Sequence, residues 1–157
     1  MRLEDTSFET KVREEMLDDV ERKLVGERDN LMFQLTQFVR GRLERYARDA
    51  DYRVQPVLDS LEPIEVTRTE DSIEATVGWS HEAFPYFEFG TSDHTIEGDP
   101  ILSFVWEERH DPPEWVREEF DAEGDGYRVF LPEVEVAGVR ETRAVRDGLN
   151  QIRRQIA

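Results

Sequence analysis

The chain has 157 residues and a formal net charge of −17, with 37 acidic residues against 20 basic ones. That length fits one domain of the usual ~100–200 residues and a single buried core. The lack of cysteine excludes disulfides, thiol catalysis and thiolate metal sites. Nine Phe, four Tyr and three Trp argue against an acidic disordered segment, which would be poor in aromatics.

Lys11 and Lys23 are the two lysines; the other basic residues are arginine. Few lysines, many carboxylates and no cysteine point to a salt-loving host. Molar salt shortens the Debye length to about 3 Å and relieves the self-repulsion of such a surface. Residues 1–10 are mixed and charged, so no signal peptide is expected. No window approaches the ~18 apolar residues of a membrane span, and a soluble protein is expected.

Taken in order, Phe8, Val12, Met16, Val20 and Leu24 recur every four residues and predict a helix over 5–25, with those residues as its apolar stripe. Asp5, Thr6 or Ser7 can cap it, and Glu9 sits at capping-box distance from Thr6. Gly26 breaks the pattern. Asp29 or Asn30 can cap a second helix to about residue 49, with Leu31, Leu35, Phe38, Val39, Leu43, Tyr46 and Ala47 facing a core.

Residues 51–63 form a connector broken by Pro56 and Pro63. Alternation over 64–68 and 73–79 around a polar turn predicts a β-hairpin that buries Ile64, Val66, Ile73, Ala75, Val77 and Trp79. Pro85–Thr91 is the most aromatic window and reads as the end of a buried strand, stopped by Gly90 and entering a long loop over 91–100. Residues 100–106 read as a central strand. Residues 107–126 are a charged excursion with a short helix near Trp115, and 127–136 a strand bent at Pro132. A last helix over 140–156 would bury Ala144, Val145, Leu149, Ile152 and Ile156. The expected fold is a single α+β domain. In it, two N-terminal helices and a C-terminal helix pack on a mainly antiparallel sheet of four to five strands.

Chemistry is sparsely signalled. His81, Glu82, Glu88, Asp93 and His94 are near in sequence and of metal-ligand type, but no metal motif spaces them. A nucleophile elbow and the glycine-rich phosphate motifs are absent. Asp121–Gly126 is a turn rather than a calcium loop, since it lacks the downstream glutamate. Arg140, Arg143, Arg146, Arg153 and Arg154 make the last helix basic, but the overall charge opposes duplex binding.

Several short runs fall in a telling order. Tyr86-Phe87-Glu88-Phe89-Gly90-Thr91 precedes His94-x-Ile96 and Leu102-x-Phe104. Val129-Phe130, Val134-x-Val136, Gly138 and Arg146-Asp147-Gly148-Leu149 follow. Over about residues 54–155 this resembles the tail-component family of tailed phages, small neck or tail-completion proteins of the head–tail junction. The chain departs from that pattern at Ala83, where the family often has Tyr, and at Val136-Ala137, in place of His-Pro. It departs again at Gly148, in place of Ala, and in its longer 107–126 excursion.

The resemblance implies a virion structural protein rather than an enzyme, with no cofactor. It implies a homo-oligomeric ring, six-fold or twelve-fold, that touches a neighbouring neck or adaptor protein and the tail tube and lets viral DNA pass. Together with the composition it implies a tailed virus of a haloarchaeon, assembled in the host cytoplasm. Tyr86, Glu88, Phe89 and Gly90 are the first residues expected at the interfaces of such a ring. Thr91, His94, Trp115 and Arg146 complete that set, and residues 92–99 or 107–126 are expected to line the channel or contact the next ring. Two further classes stay open: a small metal-dependent hydrolase using His81, Glu88 and His94, and an acidic non-viral interaction module.

Overall fold

A computed structural model describes residues 6–26 and 28–156. The fold is mixed α+β, with helices toward both ends and five antiparallel strands. The strands form two separate sheets, of two and of three strands, where the sequence suggested one. The chain divides into two compact units. One spans Met1–Gly90 and Arg140–Ala157, and the other spans Thr91–Val139.

The first unit opens with α1, Thr6–Glu21, which continues into a π-helical turn at Arg22–Gly26. The caps expected from Asp5 and from the Thr6 side chain lie outside the described residues. The expected helix is present, but its apolar stripe is not core: Val12, Met16 and Val20 are 39–64 % exposed. Helix α2, Leu31–Ala50, starts at Asn30, whose side-chain oxygen accepts the Phe33 N–H at 2.8 Å. Its inner face buries Met32, Leu35, Thr36, Val39 and Leu43.

The connector contains a further helix, α3, Gln55–Asp59. Pro56 sits in its first turn, where a missing N–H costs nothing, so it helps start a helix instead of breaking one. Strands β1, Glu65–Arg68, and β2, Ile73–Thr76, form the expected hairpin. Its intended inner face is only half covered: Ile73, Ala75, Val77 and Trp79 are partly buried, while Ile64 and Val66 are exposed.

The aromatic window is helical, a correction to the strand expected there. Helix α4 spans Phe84–Phe89. Pro85 supplies a fixed φ in its first turn. The consecutive residues Phe87 and Glu88 are both buried, which a strand with alternating faces would not allow on a one-sided sheet. The stop at Gly90 is as expected: its φ is +74° and its N–H donates to the Tyr86 carbonyl at 2.8 Å.

Helix α6, Ala144–Ile156, completes this unit by packing on α2. It begins four residues later than expected, after Arg143 in the left-handed region at φ +54°. Its buried line is Ala144, Gly148 and Ile152. Val145 is partly covered, and Leu149 and Ile156, expected inside, are 37 % and 67 % exposed. A Cβ on Gly148 would lie 2.7 Å from Leu35 Cδ1 and 3.1 Å from Phe38 Cδ1, so glycine sets how closely the two helices approach. Tyr46, Tyr52 and Phe87 form an aromatic cluster beside this contact, with ring centroids 5.7–6.1 Å apart.

The second unit is a sheet of order β3-β5-β4. Strand β3 runs from His94 to Glu107 and therefore absorbs most of the loop expected over 91–100. That segment hid its strand character because His94, Thr95, Ile96 and Glu97 are all exposed, so no alternation of burial marks it. It pairs with β5, Gly126–Val136, in two registers: His94–Glu97 against Val136–Glu133, and Leu102–Glu107 against Leu131–Gly126.

Between the registers, Gly98–Ile101 stand opposite Pro132 alone, a large bulge where proline has no N–H to give. A Cβ on Gly98 would fall 2.3 Å from the Leu102 nitrogen. The expected central strand is thus an edge strand, and β5 is central. The charged excursion contains a 3₁₀ turn at Glu108–His110, helix α5 at Glu114–Glu119, and the short β4 at Ala122–Glu123. Val116 and Val129 are fully buried within this unit.

Candidate assembly interface

The residues singled out from sequence fall into two groups in the structure, buried anchors and exposed surface. Glu88 is the main anchor. It is 6 % exposed, and its carboxylate accepts two backbone N–H groups from the first turn of α6. Oε2 takes the Val145 N–H at 2.9 Å and Oε1 the Arg146 N–H at 3.1 Å. The main chain adds to this seam: the Phe87 carbonyl accepts the Thr142 N–H at 2.7 Å, and the Glu88 carbonyl accepts the Arg143 N–H at 3.2 Å.

These donors have no partner within their own helix, and a carboxylate there is favoured by the helix dipole. Glu88 thus serves as a capping group delivered from a distant part of the chain. The sequence marked Glu88 as an interface residue or a metal-type ligand; its place as the cap of α6 was not legible, because no spacing links residue 88 to residue 145. With both oxygens occupied in this way, Glu88 is held as a structural ligand for α6.

Thr91 and Asp93 do comparable work within the second unit. Thr91 N–H donates to the Val139 carbonyl at 2.8 Å, and Thr91 Oγ1 accepts the Val139 N–H at 2.9 Å. Asp93 Oδ1 accepts the Gly138 N–H at 2.8 Å. A Cβ on Gly138 would lie 2.0 Å from the Thr91 carbonyl oxygen, so this crossing requires glycine. The conspicuous spacing from Gly90-Thr91 to Gly138 therefore encodes a backbone junction.

The exposed group comprises Tyr86, Phe89, His94, Trp115 and Arg146. Tyr86 and Phe89 are 54 % and 68 % exposed on α4. Trp115 is 40 % exposed and packs edge-on against Trp106 and Phe120. His94 lies at the start of β3 with Nδ1 3.0 Å from the Ser92 carbonyl oxygen. His81 Nδ1 accepts the Ala83 N–H at 3.1 Å, just before α4. Among the described residues no group of three or more histidines or carboxylates could hold a metal ion, so His81, Glu88 and His94 form no such group.

Sequence reasoning located two apolar stretches but not that both remain open surfaces. The first is α1, in which none of the residues 7–21 is buried. The second is one face of the three-stranded sheet, where Ile96, Leu102, Phe104, Trp106, Val134 and Val136 line a hollow of about 520 Å³. Periodicity marks which residues are apolar and not what covers them. Among the described residues no helix is long and apolar enough to cross a membrane. No family model, curated protein or solved structure gives a significant match to this chain.

Proposed function

We propose that this chain is a virion structural protein of the head–tail junction, of the neck or tail-completion type, which works as a homo-oligomeric ring. The observation that carries the assembly part is α1. A helix of 16 residues in which none of residues 7–21 is buried and the apolar stripe is exposed lacks the packing that stabilises helices of its length. Such a stripe is a surface awaiting a protein partner.

The ordered motifs from Tyr86 to Leu149 support the junction type. In that reading the neighbours are an adaptor protein on one side and the tail tube on the other. The acidic surface also suits a conduit, because it repels the phosphates of DNA passing through without holding them. The acids of β3 and β5, among them Glu97, Glu133 and Glu135, are exposed and are the residues for that role.

The test is the mass and shape of the purified chain in molar KCl. Light scattering and negative-stain electron microscopy are expected to give a closed ring of six or twelve copies. A chain that stays monomeric at high concentration overturns the reading.

A further inference from the structure

We propose that copies of this chain join head to tail, with the apolar stripe of α1 in one copy seated on the exposed apolar stripe of α6 in the next. The inference rests on the ring in the reading above and names the contact that would build it.

On α1, Val12, Met16 and Val20 are exposed at 39 %, 64 % and 44 %. An adjoining flank of the helix is already engaged: Arg13, next to Val20 on the helical wheel, meets Asp71 at 3.2 Å, and Asp18 and Glu21 hold Arg68 at 2.6 and 2.9 Å. Val12 and Met16 therefore lie on the side of the helix away from the hairpin contacts. At 100° per residue Glu9 falls between Met16 and Val20, Glu15 and Asp19 border the stripe on the Val12 side, and Arg13 borders it beside Val20, so the Val12 side of its rim is acidic. Asp19 meets Arg22 at 2.7 Å, an exposed pair that leaves its carboxylate open to a second cation.

On α6 the buried line of Ala144, Gly148 and Ile152 is flanked by a second line of Val145, Leu149 and Ile156. Leu149 and Ile156 are exposed at 37 % and 67 %. Beyond that line come Arg146 and Arg153, both exposed. The helix's acid, Asp147, lies on the opposite side, in contact with Arg42. Arg146 has one weak exposed contact, to Glu141 at 3.8 Å. In a chain of net charge −17, α6 thus offers an apolar line with a basic rim.

The two surfaces complement each other in chemistry and in size. Each is a line of apolar side chains one or two helical turns apart, one with acids along one side and one with arginines along one side. The helices have 16 and 13 residues, about 24 and 20 Å long at 1.5 Å per residue. Both stripes are exposed in the single chain, so each is available to another copy. Like surfaces would bring acid to acid or base to base, which disfavours α1 against α1 or α6 against α6. Unlike surfaces on one copy make a heterologous contact, the type that closes into rings. An open pair has one such contact, whereas a closed ring uses both stripes of every copy, so closure tightens the assembly further.

Two variants test the contact: Met16→Glu, which charges the α1 stripe, and Leu149→Glu, which charges that of α6. Circular dichroism first checks that each variant is folded and unfolds cooperatively; Val12→Glu and Ile156→Glu replace a variant that does not. By sedimentation in molar KCl, wild type is expected to be an oligomer and each variant alone a monomer. An equimolar mixture should give a two-chain species and nothing larger, since one intact pair of stripes remains.

The rims are tested at the lowest KCl that still holds wild type together. The double variants Glu15→Arg/Asp19→Arg and Arg146→Glu/Arg153→Glu should each dissociate, and their mixture should recover the full oligomer. Self-association of Leu149→Glu, or a mixture that stays monomeric, overturns the contact. If every variant remains oligomeric, the contact fails while the ring stands. A monomeric wild type overturns both.

Discussion

Oε2 of Glu88 accepts the backbone N–H of Val145 at 2.9 Å, so a side chain from the middle of the chain caps its C-terminal helix. The same carboxylate takes the next N–H, that of Arg146, with its other oxygen. Glu88 is buried, so losing an acceptor leaves a helix-end donor without water to replace it. Glu88→Gln keeps one acceptor oxygen but turns an amide N–H₂ toward a donor. It is expected to destabilise the fold by about 1–3 kcal/mol, and Glu88→Ala at least as much. Urea unfolding in molar KCl measures this; an unchanged midpoint in Glu88→Gln would show that the cap contributes little.

This contact also shows what the sequence made legible. Local periodicity located α1, α2, the hairpin and α6, because each has an apolar repeat longer than one turn or one strand pair. The six-residue α4 was too short for its period to be read, and its aromatic content suggested a strand. Residues 94–97 carried the opposite signal: exposed and polar, they read as loop, yet pair with residues 133–136. Glu88, Thr91 and Gly138 stood out as residues, but their partners lie about 50 positions away. Burial by a distant segment leaves no local trace.

Gly148 tests how tightly α6 must approach α2. Alanine there gains helix propensity of up to ~1 kcal/mol, against a Cβ 2.7 Å from a movable Leu35 methyl. Gly148→Ala is therefore expected to lie within about 1 kcal/mol of wild type. Gly148→Val adds bulk that a methyl shift cannot absorb and should cost about 1–3 kcal/mol. Thermal and urea unfolding of the two variants, measured side by side, would show this order; a stable valine variant would mean that the helices can separate.

Gly138 in the second unit is more stringent. The obstacle to a Cβ there is the Thr91 carbonyl oxygen at 2.0 Å, which is backbone and cannot rotate aside. Gly138→Ala should displace the Thr91–Val139 pairing and lower stability by more than Gly148→Ala does. Hydrogen exchange at the Thr91 and Val139 amides checks the site directly. Both donate in the native structure and should lose protection in the variant.

The fork between Glu123 and Arg128 makes stability depend on acid. Glu123 Oε2 accepts from Arg128 Nε at 2.6 Å, and the second oxygen meets Nη2. The hydrogen bond from Arg128, aided by its charge, holds the Glu123 carboxyl below the ordinary glutamate value. A carboxyl depressed in the folded state stabilises it above the unfolded pKa, and that contribution fades as pH falls through the folded value. Wild type and Glu123→Gln should differ most near neutral pH and converge in acid. The pair is exposed, so the difference should be small and shrink with salt. Melting midpoints across an acid series would show the convergence; a constant gap would mean that Glu123 acts by packing alone.

Salt should act on the whole molecule in the opposite sense to its effect on that pair. With 37 acidic residues against 20 basic ones, the folded chain concentrates like charge that the unfolded chain spreads out. Screening that repulsion favours the compact state, while weakening surface ion pairs such as Arg13–Asp71 costs little, because exposed pairs contribute little. The melting midpoint is therefore expected to climb from low to molar KCl. Potassium chloride should do this without a strongly excluded anion such as sulfate, since the mechanism is screening. A flat midpoint across that range would separate the acidic composition from any adaptation to salt and would leave the −17 charge to be explained by function alone.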